Sequence, residues 1–174
     1  MSINLCIAYC RGQNIRPYLD ILTRFCDKVG RSLWYYDPTS FSSAGESGLC
    51  HIRIGEGNTP LCAGEAQVLV ALEELEGRRA LRYLAKDGII VLCRIHRLPL
   101  CVSTGAVGYP SDTLDVLTAR PLWAVPAKEY HPITVGALML RAMGVQLSDA
   151  LSLLSPVGEQ VELVNAAYGK SMGV

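Results

Sequence analysis

The side chains able to do chemistry are few and scattered. Seven cysteines stand at Cys6, Cys10, Cys26, Cys50, Cys62, Cys93 and Cys101. None forms a C-x-x-C pair, so zinc and iron–sulfur spacings are missing and no metal site is expected. Free thiols serving as small buried hydrophobes in a reducing compartment are the expectation. The histidines, His51, His96 and His131, lie in three separate segments. None are spaced as metal ligands on one helix face. His51 falls within a strand pattern, where a structural or edge position is expected, and His96 sits between Arg94 and Arg97 at a solvated strand end. There is no G-x-S-x-G elbow, and Ser40, Ser42, Ser43 and Ser47 read as loop material. No acid, base and electrophile assemble, so no catalytic residue is expected. One turn could meet an anion: Tyr9-Cys10-Arg11-Gly12-Gln13-Asn14, followed by Arg16. A dinucleotide turn needs several glycines and here only Gly12 is present. Arg11, Gly12, Gln13, Asn14 and Arg16 therefore make a weak anion- or cofactor-binding candidate, and ordinary surface arginines are the leading reading.

The elements that would position these residues follow from hydrophobic periodicity. Ile3 to Ala8 is a compact apolar run, the pattern of a strand buried on both faces. Ile15, Leu19, Leu22, Cys26 and Val29 then trace one helical face, with Asn14 as N-cap, Pro17 in the first turn and Gly30 just past the end. Strands are expected at Ser32 to Tyr36, Leu49 to Ile54, Val68 to Leu72, Gly88 to Cys93 and Leu122 to Val125. A short edge strand is expected at Leu98 to Val102. Asp87-Gly88 reads as a tight turn. Helices are expected at Glu73 to Leu84, Asp112 to Leu117, Ile133 to Met143, Ser148 to Leu154 and Val157 to Tyr168. In the last of these Val157, Val161, Val164 and Tyr168 share a face. The acid-then-arginine order after Leu72 suits the helix dipole, allows a Glu74–Arg78 pair and reads as a solvated face. Strands alternating with helices predict one α/β domain over residues 1–174, a three-layer α/β/α architecture around a mainly parallel, Rossmann-like sheet.

Composition narrows the classes. Of the 174 residues, 50% are hydrophobic, and Lys plus Arg equals Asp plus Glu at 16 each. No global field favours nucleic acid or an anionic membrane, so neither partner is expected. No apolar run approaches the roughly 18 residues of a membrane span, and Ile3 to Ala8 is short for a signal core with no basic residue before it. A cytoplasmic location is expected.

The order of segments is more specific than any one of them. Asn4-Leu5-Cys6-Ile7-Ala8 with Gly12-Gln13 and Ile15, His51-Ile52-Arg53-Ile54-Gly55, Val68-Leu69-Val70-Ala71-Leu72-Glu73 and Ala80-Leu81-Arg82-Tyr83-Leu84 occur in sequence. Asp87-Gly88-Ile89-Ile90-Val91, Tyr109-Pro110, Gly136-Ala137-Leu138 and Ala166-Ala167-Tyr168-Gly169 continue the series. Together they resemble gamma-type subunits of 2-oxoacid:ferredoxin oxidoreductases, with the indolepyruvate oxidoreductase small subunit the nearest branch. The chain departs from that pattern in its glycine-rich loops. Tyr9, Arg11 and Asn14 stand where the family's first turn has glycines, Ser43-Ala44-Gly45-Glu46 replaces a Q-R-G-G run, and His131 replaces an asparagine.

The resemblance implies a non-catalytic subunit that binds no cofactor itself, with thiamine diphosphate and iron–sulfur clusters on partner subunits. Catalytic oxidoreductase subunits, further copies of the chain, or both are then the expected partners. The loop Thr39 to Gly48, with Phe41, Ser43 and Gly45, is the expected interface, Phe41 being an apolar group without a periodic partner. A diverged stand-alone anion- or nucleotide-binding module of the same fold is the alternative.

Overall fold

The computed structural model describes residues 2–38, 46–98 and 100–173. The expected interface residues Phe41, Ser43 and Gly45 lie outside the described residues.

Six strands, β1 (Ile3–Cys10), β2 (Leu33–Tyr36), β3 (Ser47–Ile54), β4 (Ala66–Ala71), β5 (Leu84–Arg94) and β6 (Leu122–Pro126), form one sheet in the order β2-β3-β1-β4-β5-β6. The β1–β4, β4–β5 and β5–β6 pairings are parallel. The expected mainly parallel α/β sheet is therefore present. Its first unit differs from a simple βαβ. β3 runs antiparallel between β1 and β2, pairing Ile3 with Ile54 and Cys10 with Ser47 on one side, and Leu33 with Ile54 on the other.

The sheet divides two unequal layers. Alternate residues of β1 show the division: Leu5, Ile7 and Tyr9 enter one core, Cys6 and Ala8 the other. The first core is covered by α1 (Arg16–Val29), α5 (Pro132–Ala142), α6 (Leu147–Leu154) and α7 (Gln160–Gly169). The second lies under the short α2 (Glu74–Ala80) and α4 (Thr113–Thr118), through Ala80 and Leu117. Gly77 lets α2 approach the sheet, since a Cβ there would lie 2.7 Å from the Ala71 methyl carbon.

Several elements depart from the bounds that periodicity predicts. α1 starts at Arg16 with Pro17 in its first turn, and Ile15 rather than Asn14 holds the N-cap position. Asn14 still serves the helix start, its Oδ1 accepting the Arg16 N–H at 3.0 Å. The buried face of α1 is Tyr18, Ile21, Leu22, Phe25 and Cys26, while Val29 is exposed. The two aromatic rings offer the largest apolar area and turn the helix toward themselves. α2 ends at Ala80, followed by one 3₁₀ turn over Leu81–Tyr83, because β5 already begins at Leu84. Asp87-Gly88 is consequently part of β5 at an irregular pairing with β4, not a tight turn. Leu98 to Val102 is not an edge strand; a short helix, α3 (Leu100–Ser103), takes its place. Val157 lies outside α7 and is 77% exposed, so the buried side of that helix is Val164 and Ala167.

One edge of the sheet is closed by the chain's own tail. Gly173 pairs beside β6, donating to Leu122 O at 2.9 Å and accepting from Ala124 N at 3.2 Å. Among the described residues no helix is long and apolar enough to cross a membrane.

Candidate functional site

The loops after β1 and β4 leave the carboxyl edge of the sheet toward opposite layers, α1 to one and α2 to the other. In an open α/β sheet such a divergence makes a crevice where ligands bind. Here a side chain bridges it. Gln13 donates from Nε2 to Leu72 O at 2.9 Å and accepts the Cys10 N–H on Oε1 at 2.8 Å. Gly12 is at φ +97°, where a Cβ would be strained, and Arg97 lies over it.

The two arginines of the expected anion turn point to carboxylates. Arg11 donates to Ser47 O at 3.1 Å and pairs with Glu46 at 3.3 Å. Arg16 pairs with Asp20 at 2.8 Å, one helical turn away. The structure therefore joins Gly12 and Gln13 to the crevice and directs the arginines to Glu46 and Asp20.

The dominant feature of this edge is one that periodicity misassigned. The run after Leu72 is not a solvated face: Glu73 is 0%, Glu74 3% and Glu76 1% exposed. Nor does the Glu74–Arg78 pair form. Glu74 accepts from Arg94 Nε at 3.2 Å and has His96 Nε2 at 3.0 Å from its Oε2, whereas Arg78 reaches Asp112, with Nη2–Oδ2 at 3.1 Å. Glu76 pairs with Arg79 at 2.6 Å and accepts the Ser47 hydroxyl. Glu73 caps α2, its Oε2 accepting the Glu76 N–H at 2.9 Å, while Oε1 accepts the Tyr109 hydroxyl at 3.0 Å. Burial outweighs these donors and holds the Glu73 carboxyl above the usual carboxylate range. Burial and the adjacent Glu73 push the Tyr109 phenol up in turn. The signal that could have found the cluster is position: three acids directly follow an unbroken buried strand, at the end where α/β proteins gather polar groups.

Across this edge lies the segment from β5 to α4. Tyr109 ties it to Glu73, Asp112 to Arg78 and His96 to Glu74, and the His96 ring stacks on Tyr109 at 5.2 Å and 19°. Beside the cluster a pocket of about 140 Å³ is lined by Leu49, Glu76, Arg79, Arg82 and Tyr83, among others. Every buried acid already has donors, so the arrangement is suited to holding loops in place. Among the described residues no cluster of three or more His, Cys, Asp or Glu side chains could hold a metal ion.

The other two histidines are structural. His51 is buried within β3, an interior strand, and its Nδ1 accepts the Leu61 N–H at 3.1 Å. Burial lowers its pKa, which keeps that nitrogen an acceptor. His131 caps α5 by accepting the Ile133 N–H on Nδ1 at 3.2 Å, so it fills the role an asparagine would have at that position. Cys6, Cys50 and Cys93 are buried, and burial pushes each thiol up to about 12.

No family model matches the chain. Over 111 residues, 63% of its length, it is 28% identical to indolepyruvate oxidoreductase subunit IorB of Archaeoglobus fulgidus. The match takes in 55% of that relative, so the chain spans about half the length of the curated protein. Subunit PORC of pyruvate oxidoreductase from Thermotoga maritima superposes with a TM-score of 0.61 at 12% identity, covering 97% of this chain and 96% of that one. The gamma subunit of a keto/oxoacid ferredoxin oxidoreductase from Geobacter sulfurreducens gives 0.59 at 15% identity, with 97% and 93% covered. The chain shares the fold of these two subunits. In this chain the blocks that carry the resemblance fall on strands at and beside the crevice. Asn4 to Ala8 is β1, His51 to Ile54 is in β3, and Val68 to Glu73 is β4 with its carboxyl end.

Proposed function

We propose that the chain is a non-catalytic gamma-like subunit of a 2-oxoacid:ferredoxin oxidoreductase complex, with indolepyruvate as the oxoacid. Oxidative decarboxylation then proceeds on partner subunits, which carry the thiamine diphosphate and the iron–sulfur clusters, in the cytoplasm. The observation that carries this reading is the end-to-end correspondence with gamma-type subunits, together with the 28% identity to an indolepyruvate oxidoreductase subunit. The buried pairs at the carboxyl edge support it, because they stiffen the edge instead of presenting a free acid or base. Phe41, together with Ser43 and Gly45, is the proposed contact to the catalytic partner.

A stand-alone anion-binding module built on Arg11, Gly12, Gln13, Asn14 and Arg16 has less support, since both arginines already face carboxylates. Affinity capture of the tagged chain from its native cell, followed by indolepyruvate-dependent reduction of a viologen dye, tests the proposal. The complex is expected to reduce the dye, and the isolated chain neither to reduce it nor to carry iron. Stoichiometric iron and turnover in the isolated chain would overturn it, as would a tight dinucleotide site lost on Gly12→Val.

A further inference from the structure

The two edges of the sheet are treated differently. The β6 edge is closed by Gly173, with Trp123 Nε1 donating to Lys170 O at 3.2 Å beside it. At the other end β2 pairs with β3 on one side, and among the described residues nothing pairs on its outer side. An open edge is a template for another strand. Its sequence, Leu33-Trp34-Tyr35-Tyr36, is wholly apolar or aromatic, with Tyr35 53% and Tyr36 44% exposed. Trp34 and Tyr36 stack at 6.2 Å on one face, and Leu33 packs against the larger core on the other.

The charges flanking β2 say what fits there. Arg31 precedes the strand and Asp37 follows it, equidistant from Trp34. The Arg31 guanidinium enters no ion pair among the described residues. Asp37 accepts the Tyr9 hydroxyl at 2.7 Å. A second β2 laid antiparallel with Trp34 opposite Trp34 sets Leu33 against Tyr35, Ser32 against Tyr36, and Arg31 against Asp37 at both ends. Register, parity and charge agree, since residues opposite one another then share a face. Opposite charges directly across two strands favour the pair, and a two-fold axis supplies both contacts at once.

We propose that two copies of the chain join edge to edge through β2, antiparallel about a two-fold axis at Trp34, so that their six-stranded sheets become continuous. This contact uses the β2 edge, three positions from β4 in the sheet order.

The register makes the proposal testable by disulfide trapping in the full chain, with the accessible Cys62 and Cys101 replaced by serine. Residues directly opposite across an antiparallel pair are about 4.5–5.5 Å apart, within disulfide range. Trp34→Cys is expected to cross-link to itself. Ser32→Cys alone and Tyr36→Cys alone are expected not to, because each lies about 13 Å along the strand from its own copy. Mixing those two variants is expected to give the heterodisulfide, which leaves Trp34 intact. Light scattering is expected to show a dimer, with Arg31→Glu weakening it at least about tenfold. A monomer at about 200 μM that forms none of these links would overturn the proposal. Links formed equally at all three positions would overturn it too. So would links formed only to a larger co-purified subunit, which would assign the edge to that subunit.

Discussion

Replacing Glu73 separates its two jobs. Glu73→Ala removes the cap on α2, worth about 1 kcal/mol. It also leaves the Tyr109 hydroxyl without its acceptor, at about 1–3 kcal/mol. A loss of about 2–4 kcal/mol is expected, a large part of the roughly 5–15 kcal/mol that holds a domain together. Glu73→Gln keeps an oxygen for the Glu76 N–H and places an amide beside the phenol oxygen, so it is expected to lose far less. The sign of the pH effect follows from the raised Glu73 pKa. The folded state holds the proton more tightly than the unfolded one, whose glutamate titrates near about 4.3. That contribution is fully present below the unfolded pKa and is lost as pH rises through the folded one. Glutamine does not titrate, so Glu73→Gln is expected to gain on the wild type between about pH 4 and pH 8. Urea unfolding of the three proteins across that range measures it. The reasoning is refuted if the glutamine variant is as unstable as the alanine variant at pH 8, or if its difference from wild type ignores pH.

Other outcomes follow from single positions. Gln13→Ala unfastens the first turn from Leu72 and leaves the Cys10 N–H without its acceptor, and a loss of about 1–3 kcal/mol is expected in the same denaturation assay. Gly77→Ala would place its methyl 2.7 Å from the Ala71 Cβ, and a melting experiment is expected to show a loss of about 1–3 kcal/mol. Thiol labelling of the native chain at neutral pH is expected to reach Cys62 and Cys101 within minutes. The thiols of Cys6, Cys50 and Cys93, buried and pushed up to about 12, are expected to react only after denaturation.

Periodicity located the strands well, because a strand buried on both faces leaves an unbroken apolar run such as Leu69 to Leu72. It also placed α5 and α6, where apolar spacing and a following Gly144 or Pro156 agree. It failed where tertiary partners decide. The direction of β3 depends on pairing between residues such as Ile3 and Ile54, which local pattern does not encode. The acids after Leu72 look solvent-bound until Arg94, His96, Arg79 and Tyr109 are brought to them from elsewhere in the chain. Gln13 was legible as a turn residue, and its grip on Leu72 was not, since the partner lies on another strand.

The insertion of β3 between β1 and β2 constrains the order in which the sheet can assemble. β2 leaves α1 before β3 has been made, yet among the described residues of one chain it pairs only with β3. It must wait until β3 has returned to β1, where Ile3 meets Ile54 across a long loop closure. Non-local closures of this kind slow folding, and the strand that depends on one joins late. The parallel ladder β1-β4-β5-β6 carries most of the doubly covered core and is the part able to persist while β2 is still detached. Amide exchange of the dilute monomer should therefore rank the molecule by topology, with Trp34 to Tyr36 releasing protons by local opening and Leu69 to Ala71 only by global unfolding.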